Sequence, residues 1–304
     1  TSAEAVFTQA SYNDKIEQTG FDVDRTDINL QTSYHYVFSG AFSGYALAQQ
    51  KMVDHKLMPF IAAAGIEYKL IKPGTLTFKA NIGRNLHVPN LDDLYFTPGG
   101  NPDLKPEEGY QSDAGLIWSD GIGNINYQFE LTGFASRIDN WILWHPSEYR
   151  YWTADNVNKV FSRGAEMNGT VKGNLGSVKY QVRGNYGFTR TTNEDRMSDS
   201  YGMQLIYIPK HIGNAHLYLE KGTWSSVLSY HHTGARWTST SEDNVHLMPY
   251  YYFIDLGCGK KITMGKILLD INFRLNNVLD KQYQVIRQRA MPGRNYTLTL
   301  KLSY

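Results

Sequence analysis

The sequence is short of cysteine, of any excess charge and of long apolar runs, and each shortage removes a class of protein. Among 304 residues there is one cysteine, Cys258, which excludes an internal disulfide framework and leaves no partner for a multi-cysteine metal site. Lys and Arg total 30 against 29 Asp and Glu, a formal net charge of +1. An electrostatic nucleic-acid binder would carry a basic excess or stripe. No apolar run approaches the roughly 18 residues of a transmembrane helix. No Pro/Ser-rich linker, charge run or fixed-period repeat divides the chain, which reads as one architectural unit over residues 1–304. The opening stretch, TSAEAVFTQASYND, has no basic n-region or apolar h-region, so an export signal is expected upstream of it.

What the chain has in quantity is aromatic residues, 22 Tyr, 13 Phe and 6 Trp, together with 27 Gly. Such chains occur as soluble sandwiches and as membrane barrels. A mean hydropathy of -0.44 is compatible with the second, because a barrel shows lipid only every other residue. Alternation is the dominant period. In NYTLTLKLSY, Tyr296, Leu298, Leu300, Leu302 and Tyr304 share one face, with Asn295, Thr297, Thr299, Lys301 and Ser303 on the other. Ile267, Leu269, Ile271, Phe273 and Leu275 repeat the pattern, as do Val178, Tyr180 and Val182, and Ile28, Leu30, Tyr34 and Tyr36. These are strands with one apolar and one polar face.

The connectors alternate as well. Tight ones fall at 38–41, 71–74, 120–124, 174–177, 220–223 and 263–266, and long polar ones at roughly 9–26, 51–56, 85–108, 145–162, 190–201, 238–248 and 277–294. Short turns on one side and long loops on the other describe an up-and-down barrel, and the segments number about fourteen strands, an even count. With the last strand ending in the periplasm, the long loops are expected outside the cell.

Three stretches, in order, resemble the TonB-dependent outer-membrane receptor family. The first, residues 83–118, carries Pro89, Leu91, Leu94, Tyr95, then Gly100, Asn101, Pro102, Leu104, Pro106 and Glu107, with Leu86-His87-Val88 where the family often has Phe-Arg-Ala. The second is IPKHIGNAHLYLE, residues 208–220, and the third is NNVLDKQYQVIRQRAMPGRNYTLTLKLSY, residues 276–304, ending on an aromatic strand. The spacing over residues 135–171 is most similar to vitamin B12 and small siderophore receptors. The resemblance implies a C-terminal part of a larger barrel of about 22 strands around a plug. The plug, the N-terminal strands and the TonB-contacting segment are expected to lie outside this chain.

The same resemblance implies function without bond making and without a cofactor. Long loops capture a scarce, bulky nutrient of cobalamin, siderophore or haem type, and TonB acts through the plug to release it inward, in the bacterial outer membrane. Aromatic faces and a few cationic side chains suit that task. The loop candidates are Tyr149, Arg150, Tyr151 and Trp152, then Tyr95 and Phe96, Arg236 with Trp237, and Arg287 with Arg289. Against this, Trp141, Trp144 and Trp237 near strand ends also suit an interfacial girdle in contact with lipid. Catalytic constellations are weak. His231 and His232 point to opposite faces of a strand, as do His211 and His216. Asp92-Asp93 and Glu107-Glu108 read as solvated loop charge, and GCGK lacks the remainder of a dinucleotide fingerprint. Two other readings stay open: an adhesive outer-membrane barrel that binds a protein partner, and a soluble β-sheet enzyme acting on carbohydrate.

Overall fold

The computed structural model describes residues 2–14, 19–71, 76–148, 151–240 and 243–304. Fourteen strands follow one antiparallel path in chain order. They are β1 (Ser2–Asp14), β2 (Thr19–Val37), β3 (Phe42–Val53), β4 (Ile61–Ile71), β5 (Leu76–His87), β6 (Glu107–Ile122) and β7 (Ile125–Pro146). The path continues through β8 (Trp152–Leu175), β9 (Val178–Asn193), β10 (His211–Lys221), β11 (Trp224–Thr233), β12 (Tyr251–Met264), β13 (Ile267–Asn276) and β14 (Asn295–Ser303). Each strand pairs with its neighbours in sequence, and among the described residues no pairing joins β1 to β14. A two-residue strand, Lys56–Leu57, extends β3, while Arg236–Trp237 and Leu247–Met248 form a separate small ribbon.

Register assigns the faces. Residues directly opposite across an antiparallel pair share a face, so one assignment propagates through the sheet. One row runs Tyr296, Leu275, Leu256, Leu228, Leu217, Val182, Val171 and Tyr127, apolar on every strand. A second runs Met167, Leu131, Leu116, Phe78, Tyr68 and Phe42. The neighbouring parity gives a polar row, His231, Asn214, Asn185, Asn168 and Glu130. Its amides bond across strands, Asn214 Nδ2 donating to Asn185 Oδ1 at 2.9 Å and Asn81 Nδ2 to Asp113 Oδ2 at 2.8 Å. The apolar face is left uncovered, with Leu298, Leu300 and Leu302 each at least 60% exposed. So much uncovered apolar surface on one continuous face suits hydrocarbon, not water. Cys258 sits on this exterior face opposite Phe273, as a small wall residue.

The turn side is made locally. Gly123 and Gly176 open two-residue connectors with φ of 61° and 60°, the positive value that a hairpin turn with glycine at its first central position requires. Phe38, Phe42 and Tyr68 form an aromatic rim there, at centroid separations of 4.9 and 6.2 Å. Trp118 meets Tyr127 at 5.1 Å, and Lys260 lies 4.2 Å over Trp224. This is the girdle of the turn side, built from residues other than the three tryptophans expected to form one. The expected turn at 71–74 lies mostly outside the described residues.

Three of the expected long loops are largely strand. Residues 9–26 pair as a hairpin closing at Asp14 opposite Thr19, and 145–162 is a ribbon closing at Pro146 opposite Trp152. The 51–56 segment narrows to a tip at Asp54 and His55, both with positive φ. Strands β7 and β8 have 22 and 24 residues, well over the roughly 9–11 that cross a bilayer. Beyond the hydrocarbon both faces of a ribbon meet water, so the alternation that marks a strand in sequence fades while the backbone pairing continues. The long connectors that remain are 88–106, 194–210, 234–250 and 277–294.

Candidate functional site

The loop side is assembled by side chains reaching across connectors. In the 88–106 connector a single helical turn, Leu91–Tyr95, is capped at both ends of its box. Asp93 N donates to Asn90 Oδ1 at 2.7 Å, and Asn90 N donates to Asp93 Oδ2 at 3.0 Å. The other Asp93 oxygen accepts from Trp144 Nε1 at 2.8 Å, which docks the turn on the β7–β8 ribbon. Asp93 is 7% exposed, so the expectation of solvated loop charge fails for it: its carboxylate saturates a cap and an indole. Glu107 is tied down too, accepting from Ile142 N at 2.7 Å.

The rest of that motif is equally committed. Ala154 N donates to Gly99 O at 2.9 Å, and Gly99, at φ 121°, lies so close to the Trp152 carbonyl that no Cβ would fit. Asn101 Nδ2 donates to Ala154 O at 3.2 Å, and Leu104 is buried. In the C-terminal motif Asn277, 3% exposed with φ 50°, donates through Nδ2 to Lys281 O and accepts from Lys281 N, both at 2.9 Å. Asp280 Oδ1 accepts from Arg294 N at 2.8 Å, closing the 277–294 connector on itself.

Two aromatic groups stand on this frame. The first gathers Tyr95, Phe96 and Trp152 of the expected candidates around Trp144 and Tyr207. Phe96 meets Trp144 edge-on at 6.1 Å, Tyr95 lies 5.9 Å from Phe21, and Trp152 lies 5.3 Å from Tyr207. Tyr151 closes the ribbon tip, its carbonyl accepting from Ser147 N at 2.8 Å. Tyr149 and Arg150 lie outside the described residues. Tyr207 N donates to Trp237 O at 2.7 Å, which links the first group to the second.

The second group lies between the 234–250 and 277–294 connectors around a cavity of about 590 Å3. Tyr251 and Tyr283 stack at 4.7 Å, and Phe253 continues the stack at 5.3 Å from Tyr283. Arg236 is 3% exposed, lies 5.1 Å over the Tyr251 ring and donates to the carbonyls of Gln284 and Val285. Its guanidinium thus clamps a loop, and burial lowers its pKa from the usual arginine value. Burial, with Tyr251 and Asp255 close by, raises the Tyr283 phenol above its ordinary value. Arg287 lines the cavity and is exposed, while Arg289 is exposed in the adjoining turn, its N–H donating to Ile286 O at 3.0 Å.

Tyr207, Tyr251 and Tyr283 did not emerge from sequence. The run of Tyr250 to Tyr252 at the start of a strand was a usable signal, since Tyr251 continues the polar parity. Tyr207 offered none, because its place depends on a positive φ of 58°. In the wall below, His216 and His231 approach at 5.6 Å and His231 Nε2 lies 3.6 Å from Asp255. His231 and His232 do face opposite ways, pairing with Asn214 and Gly213. Among the described residues no group of three or more His, Cys, Asp or Glu could hold a metal ion.

Comparison with known proteins agrees with this architecture. A family model described as TonB dependent receptor-like, beta-barrel matches residues 7–278. The vitamin B12 transporter BtuB of Vibrio vulnificus strain YJ016 is 24% identical over 239 residues, covering 75% of this chain and 35% of that protein. An iron-regulated outer membrane virulence protein of Vibrio cholerae is 24% identical over 256 residues, covering 75% and 37%. The chain spans about a third of the length of the curated relatives it matches. Among solved structures, the copper transporter OprC superposes with a TM-score of 0.69 at 14% identity, over 99% of this chain and 53% of that one. The siderophore receptor PirA of Acinetobacter baumannii gives 0.67 at 14%, over 92% and 46%. The motifs, the apolar face defined by register and the family match agree that this chain is outer-membrane barrel wall and not an enzyme; it belongs to the TonB-dependent receptor β-barrel family.

Proposed function

We propose that this chain forms the C-terminal wall and loop mouth of a receptor that captures a bulky, scarce nutrient of the corrinoid or ferric-siderophore class for TonB-dependent uptake. The observation that carries the reading is the cavity between the 234–250 and 277–294 connectors. It has a tyrosine-lined wall with the exposed Arg287 at its edge. Aromatic faces supply apolar area to a rigid ligand, and a guanidinium without a buried partner suits a carboxylate, phosphate or catecholate edge. Among the named relatives, the vitamin B12 transporter supports the corrinoid class.

The reading includes a division of labour. Hydrocarbon does not tolerate free strand edges, so further strands are expected to pair with β1 and β14, and a plug inside them to receive TonB. The test is binding of cobalamin and of a ferric catecholate siderophore, separately, to the assembled receptor in detergent. One of the two is expected to bind, and Arg287→Ala with Arg289→Ala to weaken it by about tenfold, the loss of one charge-assisted contact. Equal affinity in wild type and variant would remove this cavity from the account.

A further inference from the structure

A trough of about 710 Å3 is sunk into the polar face of the last five strands, β10 to β14. It runs along β11 from His231 to Ser225, about 20 Å of strand. On β12 its floor is Gly257 and Gly259, opposite Val227 and Ser225, so no side chain rises there. Asn276, the last residue before the 277–294 connector, lines its upper end, which places the trough directly beneath the mouth cavity. An aromatic ladder joins the two. Tyr283, which lines the mouth cavity, stacks on Phe253 at 5.3 Å, and Phe253 stacks at 4.7 Å on His231, its cross-strand partner. His231 meets His216 edge-on at 5.6 Å, and both histidines line the trough.

The polar side chains of the trough are bonded to the wall itself. His216 Nδ1 lies 2.9 Å from Ser229 Oγ, and His231 Nδ1 lies 2.8 Å from Asn214 Oδ1. Asn272 Nδ2 donates to Asp270 Oδ1 at 2.9 Å, and Asn276 Nδ2 donates to Asn295 Oδ1 at 2.7 Å. Asp255 Oδ1 accepts from Asn277 N at 2.8 Å, and its other oxygen lies 3.6 Å from His231 Nε2. Groups already bonded to one another hold a passing solute loosely, which passage requires. Arg274 is the exception. It is exposed opposite Gly257, and among the described residues it has no carboxylate within ion-pair distance.

The same rows on β7 and β8 are built differently. Register sets Glu130 in the row of His231, and Lys172 in the row of Gly257. Glu166 stands one position further toward the loop side. Among the described residues none of these three has an ion pair. A wall that projects unpaired charges of both signs grips a polar solute, whereas a hollow wall with one cation gives it a single hold and then lets it leave.

We infer that a nutrient admitted at the mouth descends along this trough, so that its way through the barrel follows β11 to β13 and not the β7–β8 wall. The Tyr283–Phe253–His231 ladder leads its apolar body down from the mouth cavity, and Arg274 holds its anionic edge midway. Arg274 is thus a positioning residue for passage, and it sets the rate of uptake without setting affinity at the mouth. The path rests on the mouth cavity proposed above.

Binding and uptake by cells carrying the complete receptor test this, with Cys258→Ser as the background. The probes are radiolabelled cobalamin and a catecholate siderophore loaded with radioactive iron. A Cβ at Gly257 meets nothing closer than 3.8 Å, and one at Gly187, on the polar face of β9 outside the trough, meets nothing within 4 Å. Gly257→Cys and Gly187→Cys therefore both fit the wall, and each is expected to bind and transport like wild type. A bulky hydrophilic maleimide is then added from outside. It is expected to stop uptake in Gly257→Cys while probe binding persists, and to leave uptake in Gly187→Cys unchanged. Each variant is scored against itself before modification, which separates passage from folding. Arg274→Gln is expected to lower the maximal uptake rate by about tenfold, the loss of one charge-assisted contact, at an unchanged half-saturating concentration. Arg274→Lys should restore part of that rate. Modification at 257 with uptake unchanged, a thiol at 257 that stays unmodified during uptake, or an equal block at 187 would each overturn the path and leave the mouth reading standing. A wild-type receptor that binds neither probe would remove the mouth reading and the path with it.

Discussion

The two rims of this sheet are made in opposite ways. On the turn side the connectors at 123–124, 176–177, 222–223 and 265–266 are two residues long, and the glycine at the first position of each is nearly all the specification it needs. On the loop side nothing is local: Asp93 reaches Trp144, Gly99 meets Ala154, Asn277 holds Lys281, and Arg236 holds the 284–285 backbone. The lesson is that the family's motif residues on the loop side are fasteners. They hold the loop side in shape, and exposed side chains such as Arg287 stand between them.

That contrast can be broken first at its tightest contact. Gly99→Val places a side chain against the Trp152 carbonyl at a φ of 121°. It is expected to detach the 88–106 connector from the β7–β8 ribbon, and limited proteolysis there should rise sharply. Intact resistance would show that the docking is dispensable. Next, Asp93→Ala removes the cap bond from Asn90 N and the Trp144 bond, about 2–4 kcal/mol of local stability. Hydrogen exchange should accelerate over 91–104 and 141–156, with the turn side unchanged. Asn277→Ala loses the two Lys281 bonds and leaves a non-glycine at positive φ without its amide, for about 2–3 kcal/mol. Its exchange signature should stay within 277–294. Smallest is Gly176→Ala, about 1–2 kcal/mol from the left-handed penalty alone. It should shift the temperature at which the folded band is lost on unheated gels and leave every loop-side probe unmoved. Spread of that effect to the loop side would mean that the rims are not independent.

The same contrast explains what could be read from the sequence. The apolar rows were legible in the alternation at 267–276 and 295–304, because alternate residues of a strand share one face. The turns were legible because glycine is needed where φ is positive. The ribbons at 9–26 and 145–162 were not, since strands in water on both sides lose the alternation. Tyr95, Phe96, Trp152 and Arg287 stand in loop-side segments, whereas the clamp formed by Arg236 and the bridge formed by Tyr207 depend on partners 48 and 30 residues distant in sequence, respectively.

The central claim is that one register-defined face meets lipid from β2 to β14. Its most direct test replaces Cys258 with serine and places single spin labels at neighbouring pairs on distant strands: 35 and 36, 130 and 131, 299 and 300. Accessibility is then measured in bilayers to oxygen and to a water-soluble nickel chelate. Labels at Tyr36, Leu131 and Leu300 should be relaxed by oxygen, and those at His35, Glu130 and Thr299 by the nickel chelate. The loss of that alternation on any of the three strands would contradict the account.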